Sequence, residues 1–294
     1  MGKKPAKKAP RVHSKIRDAK VRDVFVARPF EGLVDEAEWV ALRELVPAAT
    51  APLRLTPEYS AKYGEREITM ATVLPMAWPA LTKPDGRVLL GLQRNDRSGD
   101  VNRDLAAALL KALESEPGTS VTMPVLPGAG PRLADVIVNA PLSITMRDGF
   151  EFWLDEDQER DENVAASLEA ANASIFPTEK MAAAPAAYWC RVPGKSHVRW
   201  VMPQPEDKAL NALARLAAAG EIKLGDETRF AGMFRAHSLL VPVWDLPSDP
   251  PAADWEEPVA AFATRYAAAL RDDPLTSEER RAKQGLLGRQ LSIR

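Results

Sequence analysis

The chain has 294 residues, 46% of them hydrophobic and 27% charged, and its formal net charge at pH 7 is -2. These values are ordinary for a soluble globular protein, and the length is enough for one large domain or two small ones. The single cysteine, Cys190, excludes an intramolecular disulfide and a cysteine-based zinc cluster, and it suits a reducing cytoplasm. The first residues lack the apolar segment of a secretory signal, and no run approaches the roughly 18 apolar residues of a membrane-spanning helix. We therefore expect a cytoplasmic protein with no membrane partner.

The charge is distributed unevenly along the chain. Residues 1–22 hold nine basic side chains against one acidic side chain, a net charge of +8, and the rest of the chain holds 30 basic and 40 acidic side chains, a net charge of -10. The nine cations are Lys3, Lys4, Lys7, Lys8, Arg11, Lys15, Arg17, Lys20 and Arg22. A basic segment of low hydrophobicity cannot bury enough surface to fold alone, so we predict that residues 1–23 form a disordered basic arm. Such an arm binds polyanions through counterion release, and the alternative is a solubilising tail that lies on the acidic body.

The first half of the body predicts five elements in order. A helix starts at Val34 and runs to about Pro47, with acidic residues in its first turn. A hairpin follows, with strands in "ITMATVLPMAWPAL" and "RVLLGLQ". The next helix, in "DVNRDLAAALLKALE", has leucines at four-residue steps and Ser98 or Asp100 as its N-cap. A short strand, "TSVTM", then leads into a second hairpin around Asp148-Gly149.

The second half predicts the same order again. A helix in "DENVAASLEAANASIFP" precedes a hairpin that joins "AAYWCR" to "HVRWVM". A helix that begins at Pro205 and stops at Gly220 follows. The strand "EIKL" and the hairpin "RFAGMFR" to "LLVPVWDL" come next, and an amphipathic helix in "EPVAAFATRYAAALRDD" closes the series.

This repetition predicts an α+β fold with two similar units and mainly antiparallel sheets, closed by C-terminal helices. We place the first unit at residues 24–158, the second at 159–247, and the C-terminal helices and basic tail at 248–294. If the units descend from a duplication, Trp78 corresponds to Trp189 and Trp153 to Trp244.

The letters Gly194-Lys195-Ser196 resemble the end of a phosphate-binding loop. Such a loop needs another glycine five positions before Gly194 and a helix after the serine, but Trp189 occupies the first position and a β-rich run follows. We therefore predict a hairpin turn. With a four-residue loop, Cys190 and His197 share a face of that hairpin but lie two positions out of register.

The sequence contains no convincing catalytic or metal-binding motif. The three histidines, His13, His197 and His237, form no metal-binding spacing, so we expect no metal, no cofactor and no assigned catalytic residue. A Cys190–His197 pair allows a nucleophile and base, although packing is the favoured reading. The acidic stretch "DEDQERDENV" lacks the glycine of a calcium loop. We interpret it as a solvated linker that could also receive the basic arm.

Five of the seven tryptophans lie on predicted strands: Trp78, Trp153, Trp189, Trp200 and Trp244. Together with nearby arginines they could form a surface on which bases stack. The favoured reading is a core beneath the helices.

Several phrases, among them "RDVFVARPFEGL", "LVPAATAPL", "FRAHSLLVPVWDLP" and "GLLGRQLSIR", resemble an uncharacterised actinobacterial family of unknown function, from about Arg22 to the end of the chain. Its members are often labelled SecA-like or topoisomerase-like. The SecA label is associated with a short cysteine-rich, zinc-binding N-terminal motif, which is absent here. The resemblance therefore implies no activity and no catalytic residues.

These observations predict a non-enzymatic binding or adaptor protein whose basic arm engages RNA, the ribosome, DNA or an acidic protein. The alternative is an enzyme or small-molecule binder that uses a cleft between the two units, lined by Arg191, Arg199, Arg235 and His237. The sequence leaves the oligomeric state open.

Overall fold

The computed structural model describes residues 23–94, 98–123, 126–154 and 162–288. The cations of the basic arm, most of the acidic linker and the last six residues lie outside this part of the chain. Within it, the chain forms eight α-helices and eleven strands, arranged as two sheets. None of the helices in these ranges is long and apolar enough to cross a lipid bilayer.

The first sheet has six strands. They are β1 (Ala49–Leu53), β2 (Ile68–Val73), β3 (Ala80–Thr82), β4 (Val88–Gln93), β5 (Ser120–Val121) and β6 (Thr145–Met146). Their order across the sheet is β5-β3-β4-β2-β1-β6, and every neighbouring pair is antiparallel except β2 and β4. The sheet is therefore mainly antiparallel, with one parallel pair at its centre.

The second sheet has five strands, all antiparallel to their neighbours. They are β7 (Thr178–Lys180), β8 (Ala187–Val192), β9 (Lys195–Trp200), β10 (Arg229–Ala236) and β11 (Leu239–Leu246), in the order β10-β11-β9-β8-β7. The predicted α+β class with two mainly antiparallel sheets is confirmed.

Eight helices cover the sheets. They are α1 (Glu36–Glu44), α2 (Pro57–Tyr63), α3 (Val101–Glu114), α4 (Leu133–Val136), α5 (Glu162–Asn172), α6 (Glu206–Ala218), α7 (Glu256–Ala269) and α8 (Ser277–Leu287). The Asp100 side chain caps α3 by accepting a hydrogen bond from Arg103 N at 3.2 Å, as the sequence pattern predicts. The predicted C-terminal helices are present as α7 and α8.

Two hydrophobic cores organise the molecule. The first lies between α1, α3 and one face of the first sheet, and it continues into the second sheet through Tyr188, Leu239 and Val241. The second lies between the other face of the second sheet and helices α6 and α7. Because the first core includes side chains from both sheets, the two predicted units share buried surface. The unit boundaries and the duplication itself stay predictions.

Both predicted tryptophan correspondences are wrong. Trp78 follows a 3₁₀ turn and Trp153 ends another, whereas Trp189 and Trp244 lie on β8 and β11. The predicted hairpin around Asp148-Gly149 does not form. Instead the chain after Gly149 folds back, so that aromatic side chains of residues 150–153 cover the outer face of the first sheet. Burial of these side chains outweighs the local turn signal.

The tryptophans that do lie on strands form core rather than a stacking surface. Trp189, Trp200 and Trp244 are 2%, 5% and 0% exposed and pack in the second core. Large aromatic side chains on one face of a sheet bury much area beneath helices, which favours this arrangement over an exposed base platform. The packing reading of these three residues is confirmed.

Other elements differ from the prediction in smaller ways. Helix α1 ends at Glu44, three residues before Pro47, and the predicted strand "EIKL" is irregular. Four elements were not predicted: β1, α2, α4 and β7. The predicted hairpin around "TKPDG" forms between β3 and β4, but its first strand was drawn too long, since β2 is a separate strand that pairs in parallel with β4.

Candidate functional site

A buried carboxylate on α1 joins the two sheets. Glu38 accepts hydrogen bonds from Ala186 N at 2.9 Å and from the Tyr188 hydroxyl at 2.7 Å, and Lys180 Nζ lies 2.7 Å from its Oε1. The Glu38 side chain is 6% exposed. Burial, and then the Glu38 carboxylate, raise the pKa of Tyr188 above its ordinary value, so its hydroxyl stays protonated and donates. This contact fixes how the sheets meet.

Two cavities flank this joint, and Glu44 at the end of α1 lines both. We call them together the junction groove. The first, of about 440 Å³, is lined by Arg235 and His237 and is called the His237 cavity. The second, of about 340 Å³, is lined by Arg199 and Cys190 and is called the Arg199 cavity. The cleft between the units stays a prediction, and three of its four residues are divided between these two cavities.

In the His237 cavity the polar side chains engage each other. His237 Nε2 lies 2.9 Å from Glu44 Oε1, and Arg235 makes a bidentate pair with Glu206 at 2.7 and 2.6 Å. His237 and Ser238 form the two-residue turn between β10 and β11, with φ of 48° and 64°. Positive φ at both positions is the geometry of a type I′ turn, unusual for residues other than glycine or asparagine. The turn holds the imidazole against α1.

Arg199 has a different environment. Its guanidinium is half-buried, contacts the Cys190 thiol, and has no carboxylate partner within the part of the chain that the structure describes. Burial raises the pKa of Cys190, opposed by Arg199, so Cys190 is a neutral thiol near pH 7. The cation is therefore available to a ligand in the cavity, whereas the thiol is a poor nucleophile.

Arg191 does not belong to the groove. Its guanidinium lies 4.9 Å from the centre of the Trp189 ring and donates to Pro250 O at 3.1 Å, on the opposite face of the second sheet from Cys190. Alternation of side chains along β8 and β9 places odd and even positions on different faces. Of the four residues assigned to the cleft, Arg235 and His237 line one cavity of the junction groove and Arg199 lines the other. Arg191 lines neither cavity, so its assignment to the cleft is corrected.

The predicted turn at Gly194 is confirmed, but its register is corrected. The loop has two residues, Pro193 and Gly194, with Gly194 at φ 81°, so Cys190 lies directly opposite His197. A two-residue turn is tighter than the predicted four-residue loop and shifts the pairing. Ser196 is fully buried on β9 and starts no helix, which is incompatible with a phosphate-binding loop.

His197 belongs to a charged row across the second sheet. Its Nδ1 lies 3.0 Å from Asp245 Oδ1, and Asp245 also pairs with Lys195 at 3.4 Å and with Arg229. Burial, and then the charge of Lys195, lower the pKa of His197, with Asp245 opposing. Burial raises the pKa of Asp245, but Arg229 and Lys195 lower it further, so the net change is downward. The row therefore holds a carboxylate between cations, with a neutral imidazole beside it.

We expect this row to make the stability depend on pH. The depressed pKa of His197 means that the unfolded chain takes up its proton first, so the native state loses stability as pH falls below about 6.5, the ordinary histidine value. The contribution is fully present above that pH. His197→Gln removes this titration, so the variant should lose less unfolding free energy between pH 7.5 and 5.0 than the parent, measured by urea unfolding. If the variant and the parent lose equal unfolding free energy over this pH range, the prediction is wrong.

The start of the described chain runs along the His237 cavity. Asp23 Oδ1 accepts from Gly99 N and Val26 N donates to Gly99 O, both at 2.8 Å, while Ser238 Oγ donates to Ala27 O at 2.8 Å. These bonds attach the segment both to the loop before α3 and to the β10–β11 turn. Phe25 nevertheless leaves 82% of its surface exposed.

Sequence reasoning missed Glu38 and Glu44. Their partners lie about 150 positions or more away along the chain, so no local spacing could pair them. One signal was available: Glu38 interrupts the apolar run from Ala37 to Leu42, and an acidic residue inside such a run is buried only when paired.

These features define a two-sheet α+β protein whose cores meet at a buried carboxylate, with a polar groove at the joint. Residues 29–294 match the model of a family of unknown function (DUF5926), and the chain belongs to that family. Searches of the curated proteins and of the solved structures gave no match. The family resemblance seen in the sequence is confirmed. The family description assigns no function, so a function has to be inferred from the residues of the site.

Proposed function

We propose that the protein is a non-enzymatic, cytoplasmic binding or adaptor protein whose basic arm, residues 1–22, engages RNA, the ribosome, DNA or an acidic protein. The arm carries a net charge of +8 on a chain whose remainder carries -10. Polyanions bind such segments through release of condensed counterions, with little dependence on sequence.

The observation that carries the proposal is the environment of Phe25. The segment that continues the arm is fixed to the body by hydrogen bonds of Asp23, Val26 and Ala27, yet Val24 and Phe25 between them are 63% and 82% exposed. An exposed aromatic ring next to many cations is the combination with which proteins bind single-stranded nucleic acid, by stacking and phosphate neutralisation.

The polar side chains around the groove favour binding over catalysis. Glu44 and Glu206 are engaged by His237 and Arg235, and burial keeps Cys190 protonated. A cysteine nucleophile is usually activated by a lowered pKa, whereas burial raises the pKa of Cys190.

Removal of residues 1–22 is expected to abolish binding to a fluorescent single-stranded RNA or DNA of mixed sequence. The full-length protein should bind with affinity that falls steeply with salt, with a slope of about 0.7–0.9 log units per phosphate neutralised. The truncated body, at -10, repels nucleic acid. Fluorescence anisotropy at several salt concentrations measures both.

Phe25→Ala serves as the second variant, since it should weaken binding to single strands without changing the salt slope. Met76→Ala is its control, because Met76 is also 80% exposed but lies on the turn before β3. If the truncated protein binds as tightly as the full chain, the proposal is wrong. If neither protein binds nucleic acid at low salt, an acidic protein becomes the polyanion to test.

A second candidate function is a small-molecule binder or enzyme that uses the junction groove. It is favoured by the position of the two cavities, since ligand sites commonly lie in concave regions between packed units. Arg199, Arg235 and His237 are the residues of this candidate that line the groove.

A further inference from the structure

We propose that the Arg199 cavity binds a small organic anion, a phosphate ester or carboxylate with a flat apolar part, through the Arg199 guanidinium. The inference deepens the second candidate function, on which it rests, and does not depend on the basic arm. It names a ligand class and the side chain that selects it.

The first support is the charge of the cavity. Two arginines, Arg43 and Arg199, and one carboxylate, Glu44, line it. Glu44 Oε1 lies 3.3 Å from Arg43 Nε and 2.9 Å from His237 Nε2, so its charge is already offset by neighbours. The lining therefore has an excess positive charge, and the excess is carried by Arg199.

The second support is the state of the Arg199 side chain. It is half-buried and lies beside the neutral Cys190 thiol, and no carboxylate pairs with it within the described part of the chain. The other cations near the joint are compensated: Lys180 by Glu38, and Arg235, whose side chain is 44% exposed, by Glu206. A guanidinium presents five N–H donors in a planar fork that fits two oxygens of a phosphate or carboxylate. A bound oxyanion would pair with the Arg199 guanidinium as the Glu206 carboxylate pairs with Arg235.

The third support is the rest of the wall. Leu45, Val46 and Pro47 follow α1 on one side, and Phe176, which is 52% exposed, stands on the other. The volume of about 340 Å³ lies at the lower end of the range of small-molecule sites. A bare phosphate would leave the exposed Phe176 ring uncovered, whereas an anion joined to a ring would contact both Phe176 and the guanidinium. This is why the ligand class is an organic anion rather than an inorganic one.

The test uses the full-length protein with phenyl phosphate as the probe, and with inorganic phosphate and phenol as the two halves of that probe. Calorimetry should show saturable binding of phenyl phosphate that is tighter than binding of either half. Arg199→Gln should weaken it by about tenfold or more, and Arg199→Lys by less, since lysine keeps the charge but loses the fork. Arg191→Gln, on the opposite face of the same hairpin, should leave it unchanged.

A second readout does not rely on mutation. Cys190 is the only cysteine and lines this cavity, so its modification by methyl methanethiosulfonate reports this site alone. Saturating phenyl phosphate should slow the modification, followed by mass spectrometry, and phenol at the same concentration should not. Binding and protection should persist in the protein lacking residues 1–22, which separates this site from the arm. Absence of saturable binding, or equal binding in the Arg199→Gln and parent proteins, would overturn the inference.

Discussion

Replacing Glu38 by alanine is expected to destabilise the protein by about 3–5 kcal/mol, which is the usual cost of breaking a buried ion pair by removing one partner. The change leaves three donors without their acceptor: the Ala186 N–H, the Tyr188 hydroxyl and Lys180 Nζ. Two of these are buried, so water does not readily replace the carboxylate. Urea unfolding at pH 7.5 measures the loss.

Glu31→Ala is the matched control for this prediction. Glu31 also pairs with an arginine, at 3.5 Å from Arg28, but its side chain is 68% exposed. Its removal should cost less than about 1 kcal/mol, as exposed ion pairs do. Glu38→Gln should fall between the two, because an amide keeps one acceptor oxygen but loses the charge. A Glu38→Ala protein as stable as Glu31→Ala would show that the joint between the sheets does not depend on this carboxylate.

The long helices and two hairpins of the second sheet were predictable because their signals are local. Leu105 and Leu109 recur at a helical step on α3, and both are buried in the first core. The Pro193-Gly194 turn and the residues beside it likewise predict β8 and β9. Such signals depend on neighbours within a few positions, so they can be read from the sequence alone.

The errors lie where distant contacts decide the structure. Asp148-Gly149 is a good turn signal, but Phe150 and Trp153 stack with ring centres 4.3 Å apart and cover the outer face of the first sheet. The parallel pairing of β2 with β4 is also invisible locally, since β3 intervenes in the chain. In both cases the burial of an apolar face of the sheet stabilises the observed arrangement over the one that the local pattern predicts.

The candidate site was predictable only in part. Arg199, Arg235 and His237 could be assigned to a cleft because they lie near strand ends and turns of one sheet. Alternation along β8 and β9 places Arg191 and Arg199 on opposite faces even in the predicted register, because a two-residue error in loop length leaves the faces unchanged, so this pattern could have excluded Arg191. The residues that α1 contributes to the groove could not be predicted without knowing which helix packs on the second sheet. That packing involves the contacts of Glu38 with Ala186 and Tyr188, which lie far away along the chain.

Replacing Arg215 by alanine is expected to cost about 3 kcal/mol and to loosen α8. The Arg215 side chain is 5% exposed on α6, and its guanidinium donates to three backbone carbonyls, those of Ala269, Arg271 and Asp273. These carbonyls belong to the end of α7 and the connection to α8. Hydrogen bonds from a charged donor contribute about 1.5–3 kcal/mol each before coupling, and the buried Ala269 carbonyl left without its donor adds a desolvation cost. Because the three bonds hold the same segment, their combined loss should cost less unfolding free energy than the sum of the three separate contributions.

The decisive comparison is between Arg215→Ala and Arg265→Ala. Arg265 lies on α7 and donates to one carbonyl, that of Lys223 at 3.0 Å, in a bond that is exposed to water, so its removal should cost about 1 kcal/mol or less. Hydrogen exchange followed by mass spectrometry should show faster exchange in residues 277–287 of the Arg215 variant only, because α8 packs beside α6 and is held by the segment that Arg215 fixes. If exchange rises equally across α1 and α3, the effect is global unfolding and Arg215 has no specific role at α8. If the two variants are equally stable, the three carbonyl contacts contribute no more than one, and α8 must be held by its own packing through Leu286.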